Sequence, residues 1–272
     1  MREVDQALAR AYAHPAPRGA NDPDPASASG QNAPSVAPPA PHRPVWSAGP
    51  HFPVAPSTET KGVVVALRWP PTVRALERKH GERFERLADV LVEARVQQQL
   101  KVLLFTSCHR AEGRTTLVLT VARALARRPG RTLLVDADLT GPMLARQLGL
   151  RPRIGLDDVV EGGFALAEAL VDAPDDHLSV LPLRAPVARP REFLASPGWS
   201  CLLARLRREF DTVLMDGSPL FAGLSAAVLH RSVDAAILVH HRALTGERAL
   251  LRAREVLDAG GIPLLGLAET FV

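Results

Sequence analysis

Cysteine, tyrosine and long apolar runs are all scarce in this chain of 272 residues. The two cysteines, Cys108 and Cys201, form neither a disulfide framework nor metal-ligand spacing, which agrees with a reducing compartment. No apolar run approaches the roughly 20 residues that span a bilayer, and the charged start Met1-Arg2-Glu3-Val4-Asp5 lacks the form of a signal peptide. These absences predict a cytoplasmic protein. A strong charge imbalance is missing too. The net charge is +4, and since the first sixty residues hold four basic and five acidic groups, the remainder carries +5. A diffuse excess of that size is no sign of nucleic-acid binding, and none is expected.

What the chain does have is apolar content of 46%, enough for a core of ordinary size in one large domain plus a tail. Residues 1–13 are expected to form a short helix, with Val4, Leu8 and Tyr12 at helical spacing. Residues 14–60 hold 12 of the 24 prolines among alanine and serine, the composition of a disordered or polyproline-like linker. Residues 61–272 carry the α/β domain. Val63 to Leu67 reads as a short strand ended by Trp69-Pro70-Pro71, and Thr72 to Gln98 as one or two helices.

The domain is organised around Lys101 to Thr116, KVLLFTSCHRAEGRTT. Val102 to Phe105 has the continuous apolar pattern of a parallel strand covered on both faces. Leu117, Val118, Val121, Ala122, Leu125 and Ala126 recur at helical spacing and stop before Arg127-Arg128-Pro129-Gly130. A strand, a turn ending Gly-basic-Thr-Thr and a helix place backbone N–H groups and a helix N-terminus around an anion. The phosphate-loop pattern is Gly-x-x-x-x-Gly-Lys-Ser/Thr. Here Cys108-His109-Arg110-Ala111-Glu112-Gly113-Arg114-Thr115 puts a cysteine at the first glycine and an arginine at the lysine.

Further apolar runs end in acids. Thr132 to Val135 leads into Asp136-Ala137-Asp138, and Phe210-Asp211-Thr212-Val213-Leu214-Met215 leads into Asp216. Ligands bind at the carboxyl ends of strands in open parallel sheets, so these acids are site candidates. Met143 to Leu148, Gly155 to Val160 and Ala165 to Val171 read as short helices, and Leu178 to Leu181 as a strand. A helix is expected to follow the Pro190-Arg191-Glu192-Phe193-Leu194 stretch and continue through Leu202, Leu203 and Leu206, with later strands at Ala235 to Val239 and Leu264 to Leu267 around a helix at Glu247 to Leu257. This alternation predicts an α/β fold with a mostly parallel sheet and helices on both faces. Gly113 lets the backbone approach a phosphate, Arg114 brings positive charge, Thr115 a hydroxyl for magnesium, and Asp216 a carboxylate near that ion. Asp136 and Asp138 are placed to orient a nucleophile or accept its proton. His240-His241 shows no third metal ligand and is expected at a sheet edge.

Thr106-Ser107…Glu112-Gly113-Arg114-Thr115-Thr116, Leu133-Leu134-Val135-Asp136-Ala137-Asp138 with Pro142 and Leu148-Gly149-Leu150, and Phe210-Asp211…Asp216…Pro219 resemble the ordered motifs of the bacterial tyrosine kinase (BY-kinase) family. Gly155-Leu156-Asp157-Asp158-Val159 and Pro190-x-Glu192-Phe193-Leu194-Ala195-Ser196-Pro197 resemble two of its spacers. The resemblance implies a P-loop NTPase fold of the MinD/ParA class, ATP and Mg2+ as cofactors, and a role in capsule or exopolysaccharide synthesis beside a membrane-bound, polysaccharide co-polymerase-type activator. Peripheral attachment at the inner membrane would follow through that partner. It assigns nucleotide contact to Cys108, His109, Arg110, Ala111, Glu112, Gly113, Arg114, Thr115 and Thr116, magnesium to Thr115, Asp136 and Asp216, and catalysis to Asp136, Asp138 and Arg114.

The departures are specific. Arginine is a planar fork where the family has a compact ammonium. Ala111 replaces a glycine and restricts the loop if its φ is positive. Gly217-Ser218-Pro219 stands for Thr-Pro-Pro, and the oligomerisation motif Glu-x-x-Arg-x-x-Arg falls on Glu82, Glu85 and Ala88, so a homo-oligomer made by that contact lacks both arginines. The family's tyrosine-rich tail is not expected here, since Tyr12 is the one tyrosine. The signature lysine of MinD would fall on His109. Three readings follow: an ATP-hydrolysing or tyrosine-phosphorylating enzyme, a catalytically silent nucleotide-binding scaffold of the same fold, and a ParA/MinD-like positioning ATPase.

Overall fold

The computed structural model describes residues 62–222 and 232–270. The expected helix over 1–13, the linker over 14–60 and Tyr12 lie outside the described residues. In chain order the elements begin with β1 (Val63–Val64), α1 (Pro71–Gln98), β2 (Val102–Ser107), α2 (Arg114–Ala126) and β3 (Thr132–Ala137). Three short helices follow, α3 (Leu144–Gln147), α4 (Leu156–Glu161) and α5 (Leu166–Ala169), then β4 (Val171–Ala173) and β5 (Leu178–Leu181). The chain continues through α6 (Pro190–Ala195), α7 (Pro197–Glu209), β6 (Thr212–Gly217), β7 (Ala235–His241), α8 (Glu247–Ala259) and β8 (Leu264–Thr270).

The strands form one sheet in the order β1-β4-β5-β3-β6-β2-β7-β8. Every pairing is parallel except β4 with β5. Side chains alternate between the two faces along each strand, which explains why the central runs are apolar throughout. Val102, Leu104, Leu133, Val135, Val213 and Met215 pack on one face with Leu202, Leu206 and Leu257 of α7 and α8. Leu103, Phe105, Leu134 and Leu214 pack on the other with Val118, Leu125, Ala88 and Leu91 of α2 and α1. The expected mostly parallel sheet with both faces covered is therefore the observed fold.

Two local expectations are corrected and one is refined. Val171 does not end a helix; it opens β4, whose three residues pair antiparallel with β5 across a turn at Pro174–Asp176. The helix expected after the Pro190 to Leu194 stretch is α7, and the stretch itself forms a separate short helix, α6. Ser196 turns extended at ψ 150 before Pro197, and its Oγ accepts from Trp199 N at 3.1 Å to cap α7. The pair His240-His241 is not at a sheet edge, because β7 lies between β2 and β8. In α1, His80 leaves helical geometry at φ −134, so Thr72 to Gln98 is two helical segments meeting at a kink.

The positions of the missing oligomerisation arginines are committed within the chain. Ala88 is buried under α2, and Glu85 pairs with Arg127 and Arg128 at the end of that helix. Basic residues there also suit the helix dipole. Among the described residues, no helix is long and apolar enough to cross a membrane.

Candidate functional site

β6 inserts between β2 and β3, so residues far apart in sequence meet at adjacent strand ends. Asp216 pairs in register with Phe105 on one side and with Asp136 on the other. The turn after β2 and the acids after β3 and β6 thus converge at the carboxyl edge of the sheet, where α/β folds bind ligands.

The turn itself is shaped by two residues with positive φ. Gly113 has φ +80, a region glycine enters without a Cβ penalty. Ala111 has φ +64, so this alanine does sit where glycine is favoured, at a cost of about 1 kcal/mol. Cys108 points into the core with its Sγ 3.7 Å from the Ala249 carbonyl. Burial, helped by Glu112, pushes its thiol up to about 11, so at neutral pH it is a packed thiol rather than a nucleophile. His109 donates its amide to Glu112 Oε2 at 2.7 Å and sets its ring edge-on to Phe221 at 5.3 Å. One loop amide is thereby already satisfied by a carboxylate, whose buried Oε1 has no partner among the described residues. Thr270, at the end of β8, closes the turn from the other side by donating Oγ1 to the Glu112 carbonyl at 2.8 Å.

Arg114 is the centre of the site. Its Nε donates to Asp216 Oδ1 at 2.8 Å, its second terminal nitrogen to Asp138 Oδ2 at 2.9 Å, and the other to Ser107 Oγ at 3.2 Å. The residue is only 8% exposed. Burial works against the guanidinium charge, yet Asp216 and Asp138 outweigh it and hold the group above its usual range. The fork thus ties the head of α2 to both strand-terminal acids. A single ammonium has no such reach.

The remaining predicted residues divide. Thr115 Oγ1 donates to Asp216 Oδ2 at 2.7 Å. Asp138 also accepts from Ser218 Oγ at 2.8 Å and Thr140 Oγ1 at 3.0 Å. Arg110 reaches across the mouth to Thr140 Oγ1 at 2.8 Å and, more weakly, to Asp138 at 3.5 Å. Asp136 is fully buried and accepts from Leu144 N at 2.9 Å, which fixes the start of α3. Thr116 enters the described hydrogen bonds through its carbonyl, which accepts from Thr120 within α2. Ser107, Ser218 and Thr270 belong to the site by geometry although the motif reading gave them no role.

Burial first, and the Asp216 charge second, push Asp136 up to about 8. Burial also raises Asp216, against the pull of Arg114 and Thr115. At neutral pH Asp136 therefore carries a proton in this closed arrangement. A folded pKa above the unfolded value near 3.9 contributes stability that is full below that value and is lost as pH rises through about 8. Asp136→Asn is expected to flatten the stability profile between pH 4 and 8, removing up to about 1.4 kcal/mol of slope per pH unit. Urea unfolding at several pH values measures this. Parallel profiles for both proteins would refute the assignment.

The donor set fits magnesium and a nucleotide phosphate. Thr115 and Asp216 offer hard oxygens at the head of a helix, and magnesium is commonly held by one or two carboxylates plus substrate phosphates rather than by an all-protein cage. Among the described residues, no group of three or more His, Cys, Asp or Glu is placed to hold a metal.

No family model matches the chain. A tyrosine-protein kinase CpsD of Streptococcus pneumoniae is 29% identical over 170 residues, covering 62% of this chain and 75% of that protein. Among solved structures, the VpsO kinase domain is 27% identical with a TM-score of 0.64, covering 72% of this chain and 98% of that one. The septum site-determining protein MinD of Pyrococcus horikoshii, solved with Mg-ADP, is 25% identical with a TM-score of 0.51, covering 61% and 68%.

Proposed function

We propose that this chain, a relative of the bacterial tyrosine kinases built on the MinD/ParA type of P-loop fold, binds ATP with magnesium and works as a BY-kinase-like ATPase in capsule or exopolysaccharide synthesis. The observation that carries the reading is the contact between Thr115 Oγ1 and Asp216 Oδ2 at the head of α2, beneath the left-handed Gly113. Magnesium bound there supplies the positive charge that polyphosphate binding and transfer require. Gly113 admits the phosphates to the backbone, Thr115 and Asp216 hold the ion, and Asp136 is the candidate base once it gives up its proton. Arg114 must leave Asp138 and Asp216 before its charge can serve the phosphates. A membrane-bound co-polymerase-type activator is the proposed partner. A homo-oligomer would need a contact other than the one lost at Glu85 and Ala88.

The silent-scaffold reading is favoured by one observation: in this arrangement the only cation replacing the phosphate-loop lysine is bound to both acids. Calorimetric titration with ATP, with and without magnesium, tests the proposal. Wild type is expected to bind only weakly without the ion, and Thr115→Ala to lose the magnesium dependence. Binding that is indifferent to both magnesium and Thr115 would sink the reading.

A further inference from the structure

A second concavity lies beyond the acids, sharing no lining residue with the turn over 108–116. It is a cleft of about 910 Å3, and four arginines line it: Arg68, Arg146, Arg151 and Arg184. Arg184 is already neutralised, its Nε and one terminal nitrogen each 2.8 Å from the Asp158 carboxylate. The other three form no ion pair with a carboxylate among the described residues. All three are exposed, so water screens them in part, yet three like charges lining one cleft still favour an anion between them.

Their placement is built into the fold. Arg68 N donates to the Leu148 carbonyl at 3.0 Å, and the Arg68 stem lies over Gly149, where an added Cβ would come within 3.0 Å of Arg68 Cδ. Arg146 stands on α3, whose first amide is held by Asp136. Pro142 and Leu183 supply apolar wall between the arginines.

We infer that this cleft binds a small molecule carrying a diphosphate group, gripped by Arg68, Arg146 and Arg151. A guanidinium presents paired donors that match phosphoryl oxygens two at a time, and three of them suit an anion of more than one phosphoryl group. The volume falls within the roughly 300–1,000 Å3 of small-ligand sites, leaving room beside the diphosphate for a group of nucleoside size against the Pro142 and Leu183 wall.

The test titrates the full chain calorimetrically with inorganic pyrophosphate and, in parallel, with uridine diphosphate, both without magnesium. Wild type and Thr115→Ala are expected to bind pyrophosphate alike, since the cleft is separate from the phosphate loop. The triple variant Arg68→Ala/Arg146→Ala/Arg151→Ala should bind at least about ten-fold more weakly. Circular dichroism melting checks that it folds, and Arg151→Glu alone should weaken binding in the same direction if the triple variant does not. Tighter uridine diphosphate than pyrophosphate assigns the cleft to a nucleoside-borne diphosphate; equal or weaker binding assigns it to the free group. No binding of either ligand, or pyrophosphate binding that Thr115→Ala abolishes and the arginine variants leave intact, overturns the inference.

Discussion

Arg114→Lys is expected to tighten magnesium-dependent ATP binding by roughly 10- to 100-fold. The wild-type guanidinium holds Asp216 with one edge and Asp138 with another, and both contacts are near-ideal charge-assisted hydrogen bonds. A nucleotide that recruits this charge to its phosphates must break them. An ammonium on a shorter, unforked head satisfies fewer of these acceptors at once. Losing one hydrogen bond to a charged group is worth about 1.5–3 kcal/mol, which is the stated range of affinity. Titration calorimetry on the two proteins measures the ratio directly, and an unchanged or weaker affinity in the variant would mean that the ion triad does not compete with nucleotide.

Arg114→Ala is expected to destabilise the fold by about 3–5 kcal/mol at neutral pH, the usual effect of removing one member of a buried ion pair. Asp138 and Asp216 are both almost wholly buried and would keep as a nearby cation the half-exposed Arg110 alone, 3.5 Å from Asp138. Their remaining partners, Ser218, Thr140 and Thr115, donate hydrogen bonds but no charge. A melting temperature lower by roughly 10 °C corresponds to this cost. The penalty should shrink as pH falls, because protonating either acid relieves the repulsion. A variant that melts within 1–2 °C of wild type would show that the triad contributes specificity rather than stability.

The parts of this fold that were legible in the sequence are those where one physical signal dominates. β2, β3 and β6 are continuous apolar runs because both faces of the sheet are covered, and the ends of β3 and β6 were marked by Asp136 and Asp216. The positive φ suspected at Ala111 followed from the glycine that the loop pattern prefers there. β4 was missed, its first residue Val171 being read as the end of a helix, because three residues carry too little pattern to separate the two periods. The separate short helix α6 carried no expectation because six residues hold too little pattern to show a period. The chemistry was legible as residue types but not as contacts. Nothing in the spacing tells that Arg114 turns inward to Asp138 and Asp216 rather than outward along the loop, because that depends on β6 lying between β2 and β3. Thr270 was invisible for a similar reason, as only the folded sheet, with β8 beside β7, brings the end of β8 to Glu112.

In the proposed function a magnesium–nucleotide site is present and Arg114 closes it. One paired titration bears on both halves: ATP into wild type and into Arg114→Lys, each with magnesium and with chelator. Binding is expected in both proteins with magnesium, tighter in the lysine variant, and a large loss in both with chelator. No magnesium-dependent binding in either protein would refute the proposed function.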